Sequence, residues 1–290
     1  MILVVNPPRD AGVNTRAVPG FGAPQEETFY SPALPMGDGA VRTYAQLRDR
    51  QPVSLGFVFT RIALVNLPAA RSDGKYCYDR DSNGRIDPNT ECVAEHEFVI
   101  DLPEQFTERV GGPFTWAMLT WDPYGHAPDH IYGVPHFDFH FYIQDRAATE
   151  TIRSGPCGGP NLVNCDDYRT GRLPVPARYI PAGYIDIDAV VPGMGNHLGD
   201  PAAHEFHGHP FTHTFMYGAY GGTLTFYEPM IAKSWLEQLA GSQTGSCAPV
   251  KQPAAWQIAG WYPTMYCIEY QPAQQEFTVS MRDFVLRSVS

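Results

Sequence analysis

Val134-Pro-His-Phe-Asp-Phe-His-Phe-Tyr142 decides how this chain is read. His136, Asp138 and His140 alternate with Phe137, Phe139 and Phe141. A period of two is the period of a β-strand, whose successive side chains point to opposite faces. The spacing therefore predicts a strand with one aromatic face for a core. Its other face carries two imidazoles and a carboxylate, the donor types of a transition-metal site and of the facial triad of non-haem iron. The same three residues would equally suit a polar strand face satisfied by hydrogen bonds across a sheet.

Working outward, further strands are expected at 41–48, 53–67, 97–102, 116–121, 184–191, 212–220, 223–228, 265–270 and 276–286, from their β-branched and aromatic content. Gly221-Gly222 between two of them is a two-residue hairpin signal. Short helices are expected at 144–153 and at 229–239, the latter with Pro229 in its first turn. Gly and Pro number 27 each, so turns are frequent and long helices few. No internal repeat is present. The expected fold is mainly β: an antiparallel sandwich or barrel-like domain over 38–290, preceded by an extended arm over 1–37 that is rich in Pro, Gly and polar residues.

The formal net charge of −11 argues against nucleic acid, whose phosphates require clustered Lys and Arg. No apolar run reaches bilayer length, and Met1–Arg16 does not read as a signal peptide. Six cysteines allow 15 pairings. Proximity suggests Cys77 with Cys92, Cys157 with Cys165, and Cys247 with Cys267, which points to an oxidising, extracellular or periplasmic setting; six reduced thiols in a cytosolic protein are the alternative.

Three constellations carry chemistry. The first is His136, Asp138 and His140, with His197 (at the end of a Gly-rich turn) and Glu228 as further donors for Zn2+, Cu2+ or Fe2+. The second is the loop 77–92, where Asp79, Asp81, Asn83, the Arg85 carbonyl and Asp87 take the 1, 3, 5, 7 and 9 positions of a calcium loop, with Gly84 at the turn. Position 12 is Thr90, and Glu91 follows it. The flanks lack helical pattern, so this is not an EF-hand but a stapled Ca2+ loop, or else a plain Asp/Asn/Gly turn. The third is His204, His207, His209 and His213, a set that suits zinc, copper or nickel or is simply a solvated loop, with His213 alternatively facing the first site. No nucleophile elbow, P-loop or His-Glu-x-x-His motif is present, so the catalytic residues of any enzyme stay unassigned.

Trp121-Asp-Pro-Tyr-Gly-His126, Tyr132-Gly-Val-Pro-His-Phe-Asp-Phe-His-Phe-Tyr142, Val191-Pro-Gly-Met-Gly-Asn-His197 and the Tyr-Gly-x-Tyr-Gly-Gly and Glu-Pro-Met segments of 214–230 occur in order within 38–286. Together they resemble a family of largely uncharacterised secreted or envelope bacterial proteins, one of which is controlled by an extracytoplasmic-stress sigma factor in a thermophile and forms a ring-shaped homo-oligomer. The resemblance implies a β-rich exported subunit and ring assembly, and no established catalysis. His136, Asp138, His140 and His197 match its motif positions, whereas the loop at 77–92 and the 204–209 histidines depart from it. The leading expectation is an exported, metal-binding protein that assembles into a ring or filament. Alternatives are a metal-dependent enzyme (a cupin-like oxygenase or a hydrolase) using the His136/Asp138/His140 face, and a binding module in which that face is merely hydrogen-bonded.

Overall fold

A computed structural model describes residues 26–242 and 245–290. The arm expected over 1–37 falls largely outside these residues; its last part, Glu26–Tyr30 and Leu34–Met36, is strand.

Two antiparallel sheets make the body of the protein. The first runs Glu26–Tyr30, Gly39–Arg48, Gln51–Thr60, Glu276–Arg282, Met265–Gln271 and Ser246–Pro249, with Leu34–Met36 also paired to Gly39–Arg48. The second runs His96–Asp101, Trp116–Asp122, His136–Tyr142, Thr223–Ala232, His213–Tyr220, Asn196–Gly199 and Ile185–Asp186. The His136–Tyr142 strand is therefore interior to its sheet and buried throughout. Its aromatic face meets the first sheet. Phe57 lies edge-on to Phe139 and Phe141 at 5.3 and 5.1 Å between ring centroids, and Phe59 stacks on Phe139 at 6.0 Å and on Phe277 at 5.2 Å. This is a β-sandwich, and the alternation in one strand fixes which face of the second sheet is its core face.

Gly221 and Gly222 both have positive φ, 60° and 79°, and close the hairpin between His213–Tyr220 and Thr223–Ala232 as expected. Several boundaries differ from the sequence reading. The strand expected over 53–67 ends at Thr60 and turns into a short 3-10 helix, Arg61–Leu64. The helix expected over 144–153 shrinks to Arg146–Thr149, and the strand expected over 184–191 to Ile185–Asp186. Most consequentially, 229–232 is strand and the helix begins only at Lys233. Pro229 is opposite Phe215, and pairing with His136–Tyr142 resumes at Met230. Cross-strand packing on both sides outweighs the helix-start signal of a proline, whose missing N–H is accommodated where that ladder is interrupted.

Disulfides join Cys77 to Cys92, Cys157 to Cys165 and Cys247 to Cys267, the pairs that proximity suggested. The first two staple loops that lie outside the two sheets; the third ties two neighbouring strands of the first sheet. Among the described residues no helix is long and apolar enough to cross a membrane.

Phe139 is fully buried between Phe57 and Phe59. Phe139→Ala is expected to destabilise the fold by about 3–5 kcal/mol. A denaturant titration checks this, and a cost below about 1 kcal/mol would show that the sandwich does not depend on this layer.

Candidate metal centre

The face of the second sheet that looks away from the core carries the polar half of the pattern. The register sets Asp122 opposite His136, Thr120 opposite Asp138 and Met118 opposite His140. On the other side, the pairs Tyr227 with Phe141 and Met230 with Asp138 bring Glu228 level with His140. His197 enters from two strands further on, through the pairs His197 with Gly218 and Gly218 with Phe226. The Val191–Asn196 turn delivers it. Gly193 adopts φ 70° there, and any Cβ would fall 2.2 Å from the Tyr76 hydroxyl, so only glycine lets that turn close under the loop above it.

These donors form two triads rather than one site. His126, His136 and Asp138 make the first, and His140, His197 and Glu228 the second; within each, one donor atom per residue lies within 4.8 Å of the others. Asp138 and His140 are two residues apart on one strand, so the triads sit side by side, roughly 7 Å apart by strand rise. His136 Nε2 is 3.5 Å from Asp138 Oδ1, His140 Nε2 is 3.5 Å from Glu228 Oε1, His197 Nε2 is 3.6 Å from Glu228 Oε2, and His126 Nε2 is 3.8 Å from Asp138 Oδ2. These separations are too long for good hydrogen bonds. The three at 3.5–3.6 Å match the distance between two donors of one tetrahedral ion bound at about 2.0–2.2 Å, which is roughly 3.3–3.6 Å, and the His126 contact is a little longer.

The hydrogen bonding around the triads favours the same reading. His136 Nδ1 donates to the Val134 carbonyl, His197 Nδ1 to that of Ala189 and His126 Nδ1 to that of Ala127, at 2.7, 2.7 and 2.9 Å. Each bond orients the ring with Nε2 aimed into the triad, the usual outer support of a metal-bound imidazole, and in His136 and His197 it leaves Nε2 a bare lone pair. His136 Nε2, Asp138 Oδ1, both nitrogens of His140 and Glu228 Oε2 are buried without a hydrogen-bond partner. Buried polar atoms left unpaired cost about 1–3 kcal/mol each, and four of them, all but His140 Nδ1, converging on two points call for a cation.

Burial dominates the electrostatics. It lowers the pKa of His136 and His197 to about 4 and of His140 to about 3, so all three are neutral and ready to ligate. Burial, then the Asp138 and Asp122 charges, push Glu228 well above the ordinary carboxylate range. Asp122 is raised by burial and by Asp138, with which it shares the Thr120 hydroxyl. Burial alone would lower His126, but the Asp138 and Asp122 carboxylates raise it to about 9. The triads differ in access. The side chains of His140, His197 and Glu228 are 1%, 9% and 2% exposed, whereas that of His126 is 37% exposed. One centre is closed, and the other opens to solvent along His126.

His126 was missed by the sequence reading although it closes the Asp122–His126 turn. Its signal was proximity to the strand, and only the fold supplies that. The single His136/Asp138/His140 site is corrected: His140 belongs with His197 and Glu228. His213 is also corrected. It points away from both triads and bonds Tyr266 Oη through Nδ1 at 2.9 Å and Ser246 Oγ through Nε2 at 3.1 Å. His204, His207 and His209 are exposed, with the His204 and His209 rings 5.7 Å apart, and they form no metal-type group with one another among the described residues.

In the stapled loop, Asp79, Asp81 and Glu91 come together. Glu91 accepts from the amides of Asp87, Arg80 and Asp81, and the Asp87 amide leads in holding it below its usual pKa. Asp79 accepts from the amides of Asn83 and Gly84. The Asn83 side-chain oxygen accepts from the Arg85 amide, and the Asp87 carboxylate turns to Asn89 and Thr90 instead of joining the three carboxylates.

Comparison with protein-family models, with curated proteins and with solved structures returns no match. The site is therefore read from its own geometry.

Replacing His140 with Leu is expected to act with opposite sign in the two states. Metal-free protein should melt at the same temperature or higher, because two unpaired buried nitrogens are removed; metal-treated protein should melt lower than the parent. Thermal melts with chelator and with added zinc test this, and a loss of stability in chelator would show that His140 is satisfied by the protein alone.

Proposed function

We propose that this chain is an exported β-sandwich whose biochemical role is to hold transition-metal ions in two adjacent His/carboxylate centres, without catalysis of its own. The observation that carries this reading is the pair of triads whose Nε2 and carboxylate atoms converge at ligand–ligand distances in a buried face. Zn2+ suits both triads, since two imidazoles and a carboxylate leave a fourth tetrahedral position; Fe2+ and Cu2+ are the other ions such donors accept. The three disulfides support an oxidising compartment. Assembly into a ring or filament belongs to the same proposal and rests on the motif resemblance; light scattering on purified protein tests it, with a strict monomer as the contrary result. A second reading, a metal-dependent hydrolase or oxygenase, draws on one observation. The His126 side of the first centre is open to solvent, as a catalytic metal requires and a structural one does not.

Elemental analysis of the purified protein is expected to give about two transition ions per chain. The two should leave at different rates in chelator, the His126 centre first. Loss of both ions in a single phase would count against two unequal centres. Binding must also displace a proton from His126, whose pKa is about 9, and burial raises Glu228 in the direction that favours its proton too. Protons therefore compete with metal, and affinity rises with pH through neutrality, by about tenfold per unit for each proton displaced. Competition titrations at two pH values measure this, and an unchanged affinity would contradict it.

The stapled loop is proposed as a separate Ca2+ site formed by Asp79, Asp81, the Asn83 side chain, the Arg85 carbonyl and Glu91. Asp79→Ala with Asp81→Ala should lower the melting temperature only when calcium is present. Equal melting of variant and parent in calcium would remove the site.

A further inference from the structure

A cavity of about 270 Å3 lies far from this metal chemistry in character. It is lined by Thr225 and Tyr227 of the second sheet, by Ile143, which follows the His136–Tyr142 strand, and by Trp256, Tyr262 and Tyr179. None of its lining residues is an acid, a lysine, an arginine or a histidine. Its walls are fixed in advance. Gln257 accepts from the Leu224 amide and donates to the Gly222 carbonyl; the Ala255 amide donates to the Arg178 carbonyl; Tyr262 Oη donates to the Ile258 carbonyl. The Arg287 guanidinium lies 4.3 Å over the Trp256 ring and holds one of its faces.

Four polar atoms of the lining are buried and unpartnered: Thr225 Oγ1, Tyr227 Oη, Gln144 Oε1 and Trp256 Nε1. Thr225 is 1% exposed. The cavity thus offers one N–H donor, one amide acceptor and two hydroxyls that do either, set among aromatic rings. Specific small-molecule sites have this composition, mostly apolar walls with a few placed polar groups. The ligand group that can both donate to the amide oxygen and accept from the indole N–H or a neighbouring hydroxyl is itself a hydroxyl. The lining itself carries no charge and the Arg287 guanidinium behind Trp256 is turned to that ring, so a cationic ligand would lose its hydration without a counter-charge and an uncharged one loses least. An apolar cavity of roughly 150 Å3 accepts benzene, so this one has room for a substituted single ring.

We propose that this cavity is a binding site for an uncharged aromatic alcohol, with the ring held against Trp256, Tyr262 and Tyr227 and the hydroxyl bonded by Thr225, Gln144 and Trp256. The site is independent of the metal centres, and its success or failure leaves their reading untouched.

The test uses the full chain labelled with 15N at tryptophan indoles, with 4-ethylphenol and ethylbenzene as probes. 4-Ethylphenol is expected to shift the Trp256 indole N–H resonance, assigned through Trp256→Phe, at millimolar concentration or below. Thr225→Val keeps the shape and removes the hydroxyl. It should weaken 4-ethylphenol about fivefold, the loss of one hydrogen bond, and leave ethylbenzene unchanged. Equal affinity for the two probes in the parent protein would reduce the cavity to a packing void and overturn the proposal. So would the absence of any Trp256 shift with 4-ethylphenol in folded protein.

Discussion

The structure depends on one strand doing two incompatible things on its two faces. Phe137, Phe139 and Phe141 close the sandwich against Phe57 and Phe59. His136, Asp138 and His140 are as deeply buried on the opposite side. A sheet face of this kind usually looks to water. Here the rings of His126 and Phe211 pack on His136, and Tyr76 lies against Gly193 of the turn that delivers His197. The constraint is therefore a buried polar face, and the features around it answer the question of how such a face is tolerated.

Hydrogen bonds answer only part of it. Backbone carbonyls take the outward nitrogens of His126, His136 and His197, and Thr120 bridges Asp122 and Asp138. What remains unpaired is concentrated at the inward tips of the side chains. Without a cation, burial keeps the His136, His140 and His197 imidazoles neutral and favours a protonated Glu228, so the centres are quiet and unsatisfied. A divalent ion would ionise Glu228 and complete the empty valences together, which couples metal binding to the stability of the second sheet. The shared strand also couples the two centres electrostatically, since the Asp138 charge acts on His140 and Glu228 of the neighbouring triad.

A good part of the architecture was legible in the residues. The period of two in Pro135–Ile143 identified the core face and the ligand face before any neighbour was known, and Gly221-Gly222 marked its hairpin. The disulfides followed from short separations along the chain, and the D-x-D-x-N-G run marked Asp79 and Asp81. These are local signals: they concern residues a few positions apart, whose geometry the backbone itself fixes. Pro229 shows the limit. By itself it marks the start of a helix, but between two strands it is strand, because long-range pairing outweighs a local propensity.

The grouping of ligands lay beyond such signals. The sequence by itself determined that His136, Asp138 and His140 share a face, because strand geometry allows nothing else. It did not determine that the strand is divided between two centres. That division follows from which strand lies alongside, since Glu228 is level with His140 only in the observed register, and from the turns that bring His126 and His197 from 10 residues before His136 and 57 residues after His140. Donors meet at a metal through positions in space. A sheet brings distant segments to within about 5 Å of one another, at separations along the chain that no periodicity records.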